Sequence, residues 1–154
     1  MKKLSEDDQF KLKVNPIKAY GTTMLGSMAY KNKVIVIELG DGGSFIVKRN
    51  KIIPAVEDDD DTVANITYSM CGDNVYTHMH GAIYPLREVK SVMVLTDGVI
   101  NPYQSYPNFY KSFADPITKM IRNNQYDEVE GFIEELGLSK GLGDDVSLGL
   151  ILIK

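Results

Sequence analysis

Two short apolar runs, each next to an acidic turn, most constrain the fold of this chain. Ser91–Leu95 precedes Thr96-Asp97-Gly98, and residues 148–153 follow Gly143-Asp144-Asp145-Val146-Ser147. Such runs are typical of strands buried in a sheet. A sheet fixes carboxylates at its strand ends, and Mg²⁺ and Mn²⁺ prefer oxygen ligands. The pattern therefore indicates either a site for a hard divalent cation or ordinary turns, in which Asp-Gly and Asp-Asp are also common.

Composition favours one compact domain over residues 1–154. The chain has 44% hydrophobic and 25% charged residues, enough apolar content for a sizeable core. No apolar run approaches the ~20 residues that cross a bilayer, and the N-terminus is too acidic for a signal peptide. These features predict a cytoplasmic protein without a membrane partner.

Charge and residue counts exclude several classes of function. A net charge of −4 and dispersed basic residues argue against a nucleic-acid partner. One cysteine, Cys71, excludes an intrachain disulfide, and with only two histidines, His78 and His80, zinc sites and Cys-His catalysis are disfavoured. If Val75 to His80 forms a strand, the two histidines share one face of it.

The first two thirds of the chain are predicted to be rich in β-strands. Residues 22–30 and 33–39 form two strands joined by a turn at Lys31-Asn32, and Asp41-Gly42-Gly43 leads into a third strand. Short strands and tight turns together predict an antiparallel meander. The third strand is expected at residues 44–49, and further strands at residues 52–53, 66–70, 75–80, 83–86 and 91–95.

Helical signals follow Gly98. Asp115-Pro116 reads as an N-cap and first-turn proline of a helix that ends near Asn123-Asn124. A second helix follows, with Asp127 and Glu128 at its positive end and Gly137 as its C-terminal cap. The last apolar strand is expected in the middle of a sheet, because both of its faces are apolar.

Four motifs in order resemble those of the type 2C metal-dependent serine/threonine protein phosphatases. They are Gly21-Thr22-Thr23, Gly40-Asp41-Gly42, Val94-Leu95-Thr96-Asp97-Gly98 and Asp144-Asp145-Val146-Ser147. In the family the corresponding motifs, in the same order, are as follows. The first two are Gly-Thr-Thr-Ala and Gly-Asp-Ser. The third is an apolar strand followed by Ser-Asp-Gly or Thr-Asp-Gly, and the fourth is Asp-Asn followed by a hydroxyl residue. Gly42 replaces the usual serine, and Asp145 replaces the usual asparagine. Over residues 21–153 the resemblance implies an α+β fold, a mainly antiparallel β-sandwich flanked by helices.

The resemblance also implies hydrolysis of phosphoserine or phosphothreonine in a phosphoprotein substrate. In that family two Mn²⁺ or Mg²⁺ ions lower the pKa of a bridging water, which attacks the phosphorus. By motif position Asp97 and Asp144 would be metal ligands, and Gly98 would keep the turn tight. Four more residues would lie near the site: Asp145, Asp41, Thr22 and Thr23.

One part of the family pattern does not occur in this sequence. The family's N-terminal portion supplies a glutamate and an Asp-Gly-x-Gly segment to the metal centre, and neither is matched before Gly21. Three alternatives stay open: a fragment of a longer phosphatase, a product that needs a partner chain, and a non-catalytic regulatory or binding module. Whether the chain is an enzyme is therefore open, and we expect it to be weak or inactive alone.

Two further inferences come from the same residues. Surface left apolar by the missing part would favour a homodimer or pairing with an N-terminal partner segment. Thr22-Thr23 before a strand is also compatible with an N-terminal nucleophile hydrolase. That alternative needs cleavage at Gly21-Thr22 and a base within reach of the threonine.

Overall fold

The computed structural model describes residues 5–17, 21–56, 68–140 and 146–153, and these form two antiparallel sheets and five α-helices. Sheet A has the strand order β1-β2-β5, and sheet B has the order β4-β3-β6-β7. The strands are β1 (Met24–Tyr30), β2 (Lys33–Leu39), β3 (Gly43–Val47), β4 (Ile52–Pro54), β5 (His80–Pro85), β6 (Ser91–Leu95) and β7 (Leu148–Leu152).

The helices lie mostly between β6 and β7 along the chain. They are α1 (Glu6–Val14), α2 (Asp97–Ile100), α3 (Tyr106–Phe109), α4 (Asp115–Arg122) and α5 (Tyr126–Glu135). Two π-helical segments, Tyr110–Ala114 and Leu136–Lys140, continue α3 and α5. Among the described residues, no helix has the length and apolar character needed to span a membrane.

Sheets A and B pack face to face because alternate residues of their strands are apolar. Val34 and Val36 of β2 are fully buried and belong to one cluster with Ile46 of β3 and Val92 of β6. The β1–β2 hairpin that presents Val34 and Val36 turns at Lys31, which adopts a positive φ of 51°. The inner faces of the two sheets therefore make a sandwich core.

The other face of sheet B is covered by helices. Phe45 and Met93 of this face are buried in a second cluster with helical residues that include Phe109, Phe113 and Ile117. The rings of Phe45 and Phe109 meet edge to face at 5.1 Å, and Phe109 stacks on Phe113 at 5.3 Å. This arrangement confirms the α+β class and the mainly antiparallel sandwich flanked by helices.

The strand connections differ from the expected meander. The chain leaves sheet A after β2 and enters sheet B at β3, so the turn Gly40-Asp41-Gly42 joins two sheets rather than two paired strands. β7 pairs with β6 alone, which makes it an edge strand of sheet B and not a central one. All five of its residues are half-buried, and Leu150 packs against the helical cluster while Ile151 packs between the sheets.

Three local predictions were also wrong. Residues Val75–Thr77 form a 3₁₀ turn, so no strand joins His78 to His80; instead the His78 ring stacks on Tyr68 at 3.6 Å. Asp115 is no N-cap, because the helix already runs from α3 through the π-helical segment. Gly137 does not end a helix, because Leu136–Lys140 continues α5.

The predicted strand at residues 66–70 begins outside the described residues, and positions 68–70 are not in a strand.

Candidate active-site edge

Asp97 lies where β6 passes into α2. Thr96 is extended, with φ −69° and ψ 157°, and Asp97 is the first residue of the helix. One carboxylate oxygen of Asp97 accepts a hydrogen bond from the backbone N–H of Gly98 at 2.9 Å. Asp97 is half-buried and Gly98 is buried. A buried strand therefore positions this carboxylate at one end of sheet B, in an orientation fixed by its own backbone.

The flanks of the two acidic motifs are paired directly. The Ser147 N–H donates to Thr96 Oγ1 at 2.9 Å, and the Thr96 N–H donates to the Ser147 carbonyl at 3.2 Å. These bonds extend the β6–β7 ladder beyond the pair Leu95–Leu148. Asp144 and Asp145, the other acidic residues of the sequence prediction, lie outside the described residues. The predicted roles of Asp97 and Asp144 as metal ligands stay predictions.

The Gly-Thr-Thr and Gly-Asp-Gly motifs meet at the same end of the sandwich. Gly40 has a φ of 105°, and a Cβ at this position would lie 2.1 Å from Thr23 Cγ2. Asp41 is exposed and follows Gly40, two residues before Gly43, which is opposite Leu95 in the β3–β6 ladder. Thr22 Oγ1 donates to the Thr23 carbonyl at 3.1 Å. Thr22, Thr23 and Asp41 are therefore placed on the turns that border the Asp97 edge.

A polar group between the sheets was not anticipated from the sequence. Glu38 Oε1 accepts a hydrogen bond from the Ser44 N–H at 2.6 Å, and the β2–β5 register places His80 opposite Glu38. The buried Ser44 Oγ has no hydrogen-bond partner among the described residues. A buried hydroxyl without a partner is a position where an ordered water is expected. One signal was available in the sequence: Glu38 is the only acidic residue in the apolar strand Lys33–Leu39.

The described residues do not assemble a complete metal site. Within residues 5–17, 21–56, 68–140 and 146–153 there is no group of three or more His, Cys, Asp or Glu side chains that could hold a metal ion. Asp97 contributes one carboxylate at the edge, whereas a two-metal site needs oxygen ligands for both ions. The described donor set therefore does not fit a two-metal centre.

A protein-family model matches most of this chain. The family model described as Protein phosphatase 2C matches residues 2–134, a range that includes Asp97 and ends before Asp144. No curated protein matches the sequence.

Solved structures of bacterial phosphatases share the fold. A bacterial serine phosphatase has a TM-score of 0.60 at 16% identity, with 87% of this chain and 58% of that chain covered. The serine/threonine phosphatase Stp1 from Staphylococcus aureus has a TM-score of 0.59 at 14% identity, covering 100% and 71%. The catalytic domain of the serine threonine protein phosphatase PstP, in complex with two manganese ions, has a TM-score of 0.58 at 15% identity, covering 92% and 62%. This chain thus spans roughly three fifths to seven tenths of the length of these structures.

Proposed function

The chain belongs to the protein phosphatase 2C family, and we propose that it is a phosphatase domain for phosphoserine and phosphothreonine in proteins whose own residues fill only part of the metal centre. The observation that carries this proposal is the position of Asp97, which follows a buried strand and is oriented by the Gly98 N–H at the edge where the family motifs converge. Phosphoprotein is accordingly the proposed substrate.

Mn²⁺ or Mg²⁺ is the proposed cofactor. The related PstP catalytic domain holds two manganese ions, and carboxylate oxygens suit either cation. In this chain Asp97 and Asp144 would bind the cation, with Asp145 beside them. The sequence contains no Asp-Gly-x-Gly segment that could complete a second metal position. We therefore assign no catalytic step to this chain alone.

An incomplete centre has a large consequence for rate. Hydrolysis of phosphate monoesters is among the slowest uncatalysed reactions, with enzymes supplying accelerations up to ~10²¹-fold. Two metals normally activate the attacking water and stabilise the leaving oxygen together. A chain that lacks ligands for one of them is expected to turn over phosphoprotein weakly or not at all.

The test is hydrolysis of para-nitrophenyl phosphate and of a phosphothreonine peptide, with and without Mn²⁺. Purified chain is compared with the variants Asp97→Ala and Asp144→Ala, and with Asp73→Ala, which changes an exposed aspartate. We expect all four proteins to show the same low rate, while Stp1 from Staphylococcus aureus serves as the positive control. Manganese-dependent turnover that disappears in Asp97→Ala but persists in Asp73→Ala would support the phosphatase function and contradict only the incomplete metal centre, because it would mean that the site is completed within the chain or its oligomer.

A non-catalytic regulatory or binding module is the second candidate function. The outer face of sheet A favours it, because this face presents apolar side chains to solvent: Met28 is 52% exposed and Ile83 is 61% exposed. Met28, Ile35 and Ile83 are directly opposite one another across β1, β2 and β5, so their side chains form one row. A continuous apolar row of this kind is typical of protein–protein contact surfaces.

A second copy of the chain is the proposed occupant of this face. The row is apolar and two-fold association would bring it against itself, which is the usual form of a homodimer. Lys33, at one end of the β2 face, would then lie at the rim of the contact, where a charge can stay hydrated. An N-terminal partner segment is the alternative occupant. The cytoplasmic location and the single domain over residues 1–154 stay predictions from the sequence.

A further inference from the structure

The end of sheet B opposite Asp97 carries a concentration of basic residues. The turn between β3 and β4 contains Lys48, Arg49 and Lys51, Lys90 precedes β6, and Lys111 lies in the first π-helical segment. The chain as a whole has a net charge of −4. Positive charge is therefore gathered at one end of an otherwise acidic molecule, which creates a local field for anionic partners.

Hydrogen bonds connect the β3–β4 turn to Lys90 and to the helical layer. The Arg49 carbonyl accepts from Lys90 Nζ at 2.8 Å and from the Tyr110 hydroxyl at 3.4 Å. These bonds tie the β3–β4 turn to the segment before β6 and to the helical layer. Burial, followed by the Asp115 carboxylate, raises the pKa of Tyr110 above its ordinary value of 10.0. The Tyr110 hydroxyl therefore keeps its proton, and its role as donor, at physiological pH.

Three of the basic side chains have no acidic partner among the described residues. Lys48 pairs with Glu88 at 3.4 Å, and Lys119 pairs with Asp115 at 2.6 Å. Arg49, Lys51 and Lys111 are exposed, and no carboxylate of the described residues lies within ion-pair distance of them. As far as the described residues go, their charges are available to a ligand.

A cleft of about 280 Å³ is lined by residues that include Lys51 and Lys111. Its remaining lining includes the side chains of Ile52, Tyr106, Pro107 and Tyr110. Ile52 is almost fully buried, while Tyr106 is 44% exposed. The cleft thus combines apolar and aromatic residues with two exposed lysines at its rim, a combination that suits an apolar side chain flanked by carboxylates.

We propose that this cleft binds a short acidic segment of a partner protein, with one aromatic or large aliphatic side chain in the cleft and carboxylates against Lys51 and Lys111. Charge complementarity selects the acidic segment, and the apolar lining selects the side chain between its acids. Ile52 of the cleft is opposite Val47, which pairs with Ser91 at the start of β6, whereas Asp97 follows the other end of that strand. A bound segment would therefore leave the Asp97 edge accessible, and this binding does not depend on phosphatase activity.

The test is fluorescence anisotropy with a labelled peptide in which one phenylalanine lies between two runs of glutamate. The variant Lys51→Glu/Lys111→Glu reverses both rim charges on exposed positions. Lys13→Glu/Lys31→Glu is the matched control, since it makes the same change in net charge at exposed positions elsewhere. Circular dichroism checks that both variants fold. We expect saturable binding to the unmodified chain, about tenfold weaker binding to the cleft variant, and little change in the control.

Two further probes separate the cleft from general electrostatics. A peptide with serine in place of the phenylalanine should bind several-fold more weakly, because it leaves the apolar lining unfilled. Replacing Lys51 and Lys111 by glutamine should give an intermediate loss. The proposal is overturned by absence of saturable binding, by equal losses in the cleft and control variants, or by no effect of the phenylalanine. Tighter binding of a single-stranded oligonucleotide than of the peptide would also overturn it, in favour of a nucleic-acid site.

Discussion

At the scale of single residues, Gly40 joins two of the motifs that define the candidate site. Its φ of 105° lies in the region that favours glycine, and its Cα faces Thr23 so closely that a Cβ would lie 2.1 Å from Thr23 Cγ2. The Gly-Thr-Thr motif and the Gly-Asp-Gly motif therefore depend on each other sterically. This steric dependence does not require Gly40 or the Thr23 side chain to contact a substrate.

Gly40→Ala is predicted to destabilise the chain by about 2–4 kcal/mol, because it combines an unfavourable backbone conformation with a steric clash. The matched control is Gly131→Ala in α5, where a Cβ has no neighbouring atom within 4 Å. That change should be neutral or stabilise by up to about 1 kcal/mol, since alanine is the better helix former. Urea unfolding measures both. Equal stability of the two variants would show that the Thr23–Gly40 contact does not constrain the turn.

The sequence predicted the position of Asp97 better than its surroundings. An apolar run followed by Thr-Asp-Gly sufficed to place Asp97 after a buried strand, because both signals are local. The polar group formed by Glu38, Ser44 and His80 was missed, because it depends on how β2, β3 and β5 are brought together. Sequence spacing carries little information on such contacts between separate sheets.

At the scale of secondary-structure elements, one aromatic cluster fixes the helical layer on sheet B. Phe109 is 1% exposed and lies between Phe45, Tyr103 and Phe113, with ring centroids 5.1 to 5.3 Å apart. It sits where α3 passes into the π-helical segment. The cluster therefore couples β3, α3 and the helix that continues into α4.

Phe109→Ala is predicted to cost about 3–5 kcal/mol in unfolding free energy, because it leaves a cavity among buried rings. Tyr126→Ala in α5 removes an aromatic side chain that is 60% exposed and should change stability by about 0.5 kcal/mol or less. Denaturant titration followed by far-ultraviolet circular dichroism gives both values. A loss below about 1 kcal/mol for Phe109→Ala would mean that the helices are held by other contacts.

Element prediction failed where tertiary packing overrides local pattern. Val75 to His80 alternates like a strand, yet Val75–Thr77 forms a 3₁₀ turn and the His78 ring stacks on Tyr68. The apolar last strand was expected in the middle of a sheet, but β7 is at an edge. The helical layer covers one of its faces, and the core between the two sheets covers the other. Burial of both faces is therefore compatible with an edge position in a layered fold.

At the scale of the whole molecule, three surfaces of different chemistry are separated from one another. The Asp97 edge, the apolar outer face of sheet A and the basic cleft occupy different parts of the fold. The family and the fold were accessible from ordered sequence motifs, whereas the two surfaces were not, since each gathers residues distant in sequence. A protein with such surfaces can act through association as well as through chemistry.

Ile83→Lys is predicted to convert a dimer into a monomer, because it places a charge in the apolar row of sheet A. Ile83 is 61% exposed, so the change should leave the fold intact. The matched control is Tyr126→Lys, which introduces the same charge at a side chain that is 60% exposed on α5. Light scattering should give a dimer mass for the control and a monomer mass for Ile83→Lys. A monomeric mass for the unmodified chain, or a dimer in both variants, would rule out this face as the contact.

The most direct test of the central claim, a phosphatase 2C domain with a partial metal centre, is the number of Mn²⁺ ions bound per chain. Manganese titration followed by electron paramagnetic resonance counts bound ions without requiring turnover. We predict at most one weakly bound ion, lost in Asp97→Ala and retained in Asp73→Ala. Two tightly bound ions per chain, with Stp1 from Staphylococcus aureus measured alongside, would contradict the claim and indicate a complete two-metal centre.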